Sequence, residues 1–173
     1  MKKSRMKRQS GVGLIEVMIA LLVLAIGVLG YAGMQLTALK AAEDANSRAQ
    51  ATLLAQDALE RFLANETAMD TYTDASSWPK ASMEPGVKPA DLNDCINKVC
   101  TADEIAEWDV SMLAWQAANL LPGGMIAVDE CEHSDQVSCV AVSWNDQTPQ
   151  TCFDAGGVVT DEGTECVVLE VAR

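Results

Sequence analysis

The stretch Gly11-Val12-Gly13-Leu14-Ile15-Glu16-Val17-Met18-Ile19-Ala20-Leu21-Leu22-Val23-Leu24-Ala25-Ile26-Gly27-Val28-Leu29 decides how this chain is read. One carboxylate, Glu16, stands near its head, and from Val17 to Leu39 no charge follows, a run of 23 residues. About 20 apolar residues suffice for a helix to cross a bilayer, so this run is expected to span. Lys2, Lys3, Arg5, Lys7 and Arg8 precede it and Glu43 and Asp44 follow it. Basic residues favour the cytoplasmic side, which puts the N-terminus inside and the remainder outside, in a single-pass arrangement. A secretory signal would end its apolar stretch with a small-residue cleavage site. This run instead continues through Ala41, Ala42, Ala45, Ala49, Leu53, Leu54, Ala58, Leu59, Phe62 and Leu63 at three- and four-residue steps. Good helix formers in that pattern predict one helix to about Leu63, roughly 80 Å long at 1.5 Å per residue, its second half burying one face.

Beyond the helix the pattern changes twice. Residues 65–92 hold Pro79, Pro85 and Pro89 among Asp, Ser and Thr, and read as a loop wrapping the helix. Thr101-Ala102-Asp103-Glu104 has the form of a capping box, predicting a short helix that carries Ile105, Trp108, Val110, Met112, Leu113 and Trp115 and stops at Pro122-Gly123-Gly124. Strands are predicted at Met125–Val128, Val137–Trp144 and Val167–Val171. The fold class expected is therefore α+β, a long N-terminal helix packed on a small antiparallel sheet. Its divisions are 12–39 for the membrane half of the helix, 40–64 for the amphipathic half, and 65–173 for the head.

Charge and cysteine content narrow the function. The formal charge of −13 becomes −18 once the five N-terminal cations are set aside, leaving seven basic against twenty-five acidic residues. Such a surface repels phosphate backbones, which excludes nucleic acid as a partner. Six cysteines and a single histidine, His133, argue for disulfides in an oxidising compartment. Six cysteines permit fifteen pairings. The most economical is local: Cys95 with Cys100, Cys131 with Cys139, and Cys152 with Cys166. Free buried thiols are the plain alternative.

The segment around Glu16 resembles the class III signal of type IV prepilins, in which a basic leader ends in glycine and glutamate is the fifth residue of the mature chain. The resemblance implies a leader of residues 1–11, cleavage between Gly11 and Val12 by prepilin peptidase, and N-methylation of Val12. Gly13 is a competing cut, which would leave Glu16 third. An ionised carboxylate in a membrane costs about 3 kcal/mol on insertion scales, so it is rare without a partner; the plain alternative is a Glu16 solvated by headgroups at the membrane edge. Cleavage would create an ammonium at Val12, four residues earlier on the same helix. The family assigns the equivalent glutamate to registering an incoming subunit against its neighbour. Val12 replaces the phenylalanine, and Gly13 the threonine, of many pilins. Gly27, Gly30 and Gly33 stand in for their mid-span proline.

The head, from Cys95 and Cys100 through Thr101–Asp109, Trp115, Leu121-Pro122-Gly123-Gly124 and Val140–Trp144, is similar to that of PilV-type minor pilins. That implies a structural subunit of a type IV pilus, not an enzyme, without cofactors, drawn from the inner membrane into an extracellular fibre with the major pilin and other minor pilins. A pseudopilin of a type II secretion system shares the leader and helix and is the first alternative. A single-span periplasmic binding or enzyme domain is the second.

Weaker signals point to bland readings. Cysteine pairs with four, seven and thirteen intervening residues do not match zinc knuckles, and no metal is expected. Asp129, Glu130, Glu132 and Asp135 have no EF-hand spacing and read as a solvated acidic turn. No nucleophile has an identifiable base, no phosphate-binding glycine loop appears, and Trp108, Trp115 and Trp144 are expected in the core rather than in a ligand platform.

Overall fold

A computed structural model of the chain describes Gly11 and residues 13–89, Cys95, 98–131, 137–145, 147–154, 157–159 and 163–172. The leader residues before Gly11, Val12, and Glu132, His133 and Asp135 of the acidic turn lie outside the described residues. Two compact units divide between Glu43 and Asp44.

The first unit is dominated by the apolar part of α1, which runs Leu14–Ala64. It is the one described helix long and apolar enough to cross a membrane, and Leu14, Ile15, Val17 and every large apolar side chain onward to Leu39 is exposed. The helix begins at Leu14. Gly13 stays outside, as a residue costly in a helix interior should, and its carbonyl accepts from the amides of Glu16 and Val17.

The second unit is the head. Its core gathers Ala51, Leu54, Ala55, Ala58 and Phe62 from the end of α1 with Val110, Leu113 and Ala117 of α3 (Ala102–Leu120), and with Ile126, Val128, Val140, Val142 and Trp144 from the sheet. Three strands form that antiparallel sheet in the order β1 (Met125–Glu130), β2 (Val137–Ser143), β5 (Cys166–Ala172). Met125 sits opposite Ser143, and Ser143 opposite Cys166. A second small pairing joins β3 (Phe153–Asp154) and β4 (Gly157–Val158). Two-residue strands are too short to leave a readable alternation, which is why they were not expected.

Residues 65–77 correct the loop expectation. A 3-10 turn at Glu66–Ala68, the short α2 (Met69–Thr73) and a second 3-10 turn at Ala75–Ser77 follow α1 directly. Burial overrides the polar composition here. Tyr72 and Trp78 are both buried, Tyr72 lying 4.5 Å from the Phe62 ring and Trp78 standing edge-on to Phe62 at 6.3 Å. Asp74 then accepts the Ser76 amide at 2.8 Å and shapes the second turn.

At α3 the capping box forms as the sequence implies. The Thr101 amide donates to Glu104 Oε2 at 2.9 Å, and the Glu104 amide donates to Thr101 Oγ1 at 3.3 Å. The helix ends at Pro122-Gly123-Gly124, where each glycine is needed. Gly123 has φ +62°, and a Cβ on it would meet the Asn145 carbonyl oxygen at 2.6 Å. A Cβ on Gly124 would overlap the Ala117 carbonyl. The turn is tied to the end of β2 by the Asn145 amide, which donates to the Pro122 carbonyl at 2.6 Å.

Candidate functional site

The site suggested by the sequence begins at Gly11 and extends along the exposed half of α1. Glu16 is the only acidic residue in the first turn of α1, where unpaired amides and the aligned peptide dipoles favour a negative charge. Its side chain is exposed. Gly11 and Gly13 are non-helical and open: a Cβ on Gly11 would meet nothing within 4 Å. An exposed glycine outside the helix is backbone a protease can reach. Val12 lies outside the described residues, so the amine proposed to face Glu16 has no described position.

Further along the span, polar side chains are satisfied within the helix. Gln35 Nε2 donates to the Tyr31 hydroxyl at 2.6 Å, and Thr37 Oγ1 donates to the Gly33 carbonyl at 3.2 Å. No lipid could supply those partners. A Cβ on Gly27, Gly30 or Gly33 would meet nothing within 4 Å, so packing inside the chain does not call for glycine there. The helix is nonetheless unbroken across all three.

In the head the cysteines close three bridges: Cys95–Cys100, Cys131–Cys139 and Cys152–Cys166. No cysteine is free. Among the described residues no group of His, Cys, Asp and Glu is arranged to hold a metal ion. Trp144 is buried, with Arg48 stacked over its ring at 5.5 Å. Arg48 also donates to the Thr164 carbonyl at 2.5 Å and bonds Asp44 at 3.0 Å. Trp108 and Trp115 depart from the expected core placement. They are half-buried on α3, and neither indole N–H has a partner among the described residues.

A polar cluster that the sequence reading missed fastens the end of α1. Arg61 bonds Asp57 at 3.0 Å and the buried Asp109 at 2.6 Å. Tyr72 donates to Asp109 Oδ2 at 2.7 Å, and Asn65 Nδ2 donates to the Ala102 carbonyl at 2.8 Å. Burial pushes the Tyr72 hydroxyl well above its ordinary range, and its bond to Asp109 pushes the same way. For Arg61 burial works against the charge, and the bonds to Asp57 and Asp109 outweigh it, so its pKa rises. The available signal was an aspartate at position 109 between Trp108 and Val110, on a helix otherwise built to be buried.

The arrangement is an exposed apolar helix opened by one acid, and a disulfide-closed α+β unit. Residues 33–111 match a family model described as type IV pilin Tt1218, and residues 6–32 match the prokaryotic N-terminal methylation motif. With the pilin-like fold, these two matches, which together run from residue 6 to residue 111, support the type IV pilin superfamily. The sheet and the bridges Cys131–Cys139 and Cys152–Cys166 fall beyond both matched stretches. No curated protein and no solved structure gives a significant match.

Proposed function

We propose that the chain is a minor pilin of the PilV type. Prepilin peptidase cuts between Gly11 and Val12, Val12 is N-methylated, and the product waits in the inner membrane with its head in the periplasm. Extraction into the pilus exchanges lipid for the apolar helices of neighbouring subunits, and Glu16 meets a neighbour's terminal ammonium. The fifth-position acid then sets axial register, because a buried carboxylate left without a partner is costly. Major pilin and other minor pilins are the partners, and the role is structural.

The observation that carries this reading is the placement of Glu16. It sits in the first turn of α1, exposed, at the head of a long uncharged apolar surface whose large side chains are themselves exposed. A carboxylate so placed is open to a counter-charge from a neighbouring subunit.

Intact mass after co-expression with prepilin peptidase tests the processing. The expected product begins at a methylated Val12, and retention of residues 1–11 would overturn the proposal. A deletion strain tests the system served. Loss of surface pili and twitching with normal exoprotein release is expected. The reverse result moves the chain to the type II secretion pseudopilins.

A further inference from the structure

A cleft of about 440 Å³ opens on the head between the segment that follows α2 and the 3-10 turn Pro149–Cys152. Trp78, Pro79 and Ala127 give it an apolar lining, and Ser76, Lys80 and Gln150 a polar one. That volume is in the range of small-molecule sites. Both flanks are fixed before anything binds. On one, Trp78 is buried, its Nε1 donates to the Tyr72 carbonyl at 2.9 Å, and Ser82 Oγ further along donates to the Gly124 carbonyl at 2.9 Å. On the other, Gln150 stands between the buried Pro149 and Cys152, and Cys152 is bridged to Cys166 of β5. A site formed in advance loses little freedom when a ligand enters.

Ser76, Lys80 and Gln150 are exposed, and none of their side chains enters a hydrogen bond or ion pair among the described residues. Lys80 is therefore an uncompensated cation on a chain of formal charge −13. Asp74, two positions before Ser76, is outside the lining and is engaged with the Ser76 amide. One ammonium offsets one negative charge, and a hydroxyl and a primary amide add neutral donors beside it. That set matches a carboxylate, which spreads one charge over two acceptor oxygens. Phosphate carries more charge than the single cation of the lining offsets, on a surface that already repels anions.

We infer that this cleft binds a small carboxylic acid in its ionised form, with the carboxylate against Lys80, Ser76 and Gln150 and a compact apolar body on the side lined by Trp78, Pro79 and Ala127. The apolar contact supplies most of the affinity, because an exposed ion pair contributes little by itself. The charge pair supplies orientation and the preference for acid over neutral ligand. The inference does not depend on the leader or on which assembly the chain joins.

The test uses the full chain in detergent micelles, with phenylacetate as the probe and NMR as the readout. Saturable shifts at the amides of Ser76 and Lys80 and at the Gln150 side-chain amide are expected at millimolar phenylacetate. Phenylacetamide, which keeps the shape and lacks the charge, is expected to bind about fivefold more weakly, in line with the loss of one exposed ion pair. Lys80→Gln should weaken phenylacetate by about the same factor and leave the acid and the amide alike, whereas Lys80→Arg should keep the preference. Partition of the probe into micelles is common to all three chains and cancels in the comparison. Absence of shifts at these three groups would overturn the inference, and so would equal affinity for acid and amide in the parent chain. Inorganic phosphate reproducing the shifts at the same concentration would overturn it as well, leaving an unselective surface cation.

Discussion

Arg61 Nη1 donates to Asp109 Oδ1 at 2.6 Å, joining the last turn of α1 to the buried face of α3 across 48 positions of sequence. The second oxygen of Asp109 takes the Tyr72 hydroxyl, so one carboxylate holds α1, α2 and α3 together. A buried ion pair of this kind contributes less than the loss of one member costs. Arg61→Ala is therefore expected to destabilise the head by about 3 kcal/mol or more, leaving Asp109 buried and uncompensated. The double variant Arg61→Met with Asp109→Leu should lose much less. Denaturant unfolding of the full chain in detergent, followed by tryptophan fluorescence, checks both; equal losses would mean the pair is not what fastens the three helices.

Gly124 and Gly86 make a controlled comparison. A Cβ on Gly124 collides with backbone at Ala117, whereas Gly86, at φ +80°, has nothing within 4 Å. Gly124→Ala should cost about 1–3 kcal/mol, because backbone has to move. Gly86→Ala should cost about 1 kcal/mol from conformation alone. The same unfolding measurement ranks them.

How far the sequence reached follows from which signals are local. The long helix, the capping box of Thr101 and Glu104 and the three main strands each leave a periodic or paired pattern, and each forms where that pattern lies. The N-terminal methylation motif was legible for the same reason, since motif and span sit within a few residues of each other. Residues 66–77 were not legible, because Tyr72 and Trp78 are ordered by Phe62, which precedes them in another element. The Arg61–Asp109 pair is assembled from distant segments with no spacing to give it away. Trp108 and Trp115 misled in the opposite direction, since helix-period apolar mass implies burial that α3 only half provides.

The three bridges differ in how much chain they restrain. Cys95–Cys100 spans 5 positions and Cys152–Cys166 spans 14. Loop entropy alone gives about 2 kcal/mol for the first and about 3 kcal/mol for the second. Replacing Cys152 and Cys166 by alanine should therefore lower the unfolding midpoint more than replacing Cys95 and Cys100. Non-reduced peptide mapping of the parent should yield the three local linkages, and a peptide joining Cys100 to Cys131 would contradict the structure.

Acid should loosen α3 from its N-terminus. The Thr101 amide bonds the Glu104 carboxylate and holds its pKa below the ordinary 4.5. A depressed carboxyl stabilises the fold above its unfolded pKa, and that contribution is lost as pH falls through the folded value. Amide exchange at Thr101 is expected to rise as pH drops below about 4.5, after correction for intrinsic rates, and Glu104→Gln should flatten the dependence. An identical acid response in the variant would place the titrating group elsewhere.

Glu16 is the position where membrane and assembly make opposite demands. In lipid its charge costs about 3 kcal/mol, so Glu16→Ala should sit in the membrane at least as well as the parent. Leader removal should persist, because Gly11 and its exposed backbone are untouched. On the proposed function, what the variant loses is the counter-charge for a neighbour's amine, and a lost buried pairing of a few kcal/mol is expected to lower fibre incorporation by about tenfold or more. Quantifying the mature protein in sheared-pilus and membrane fractions separates these effects. A pool that is processed, membrane-bound and absent from the fibre is the expected result. Unchanged incorporation would remove Glu16 from any role in subunit register, and a pool that retains residues 1–11 would instead assign the acid to peptidase recognition.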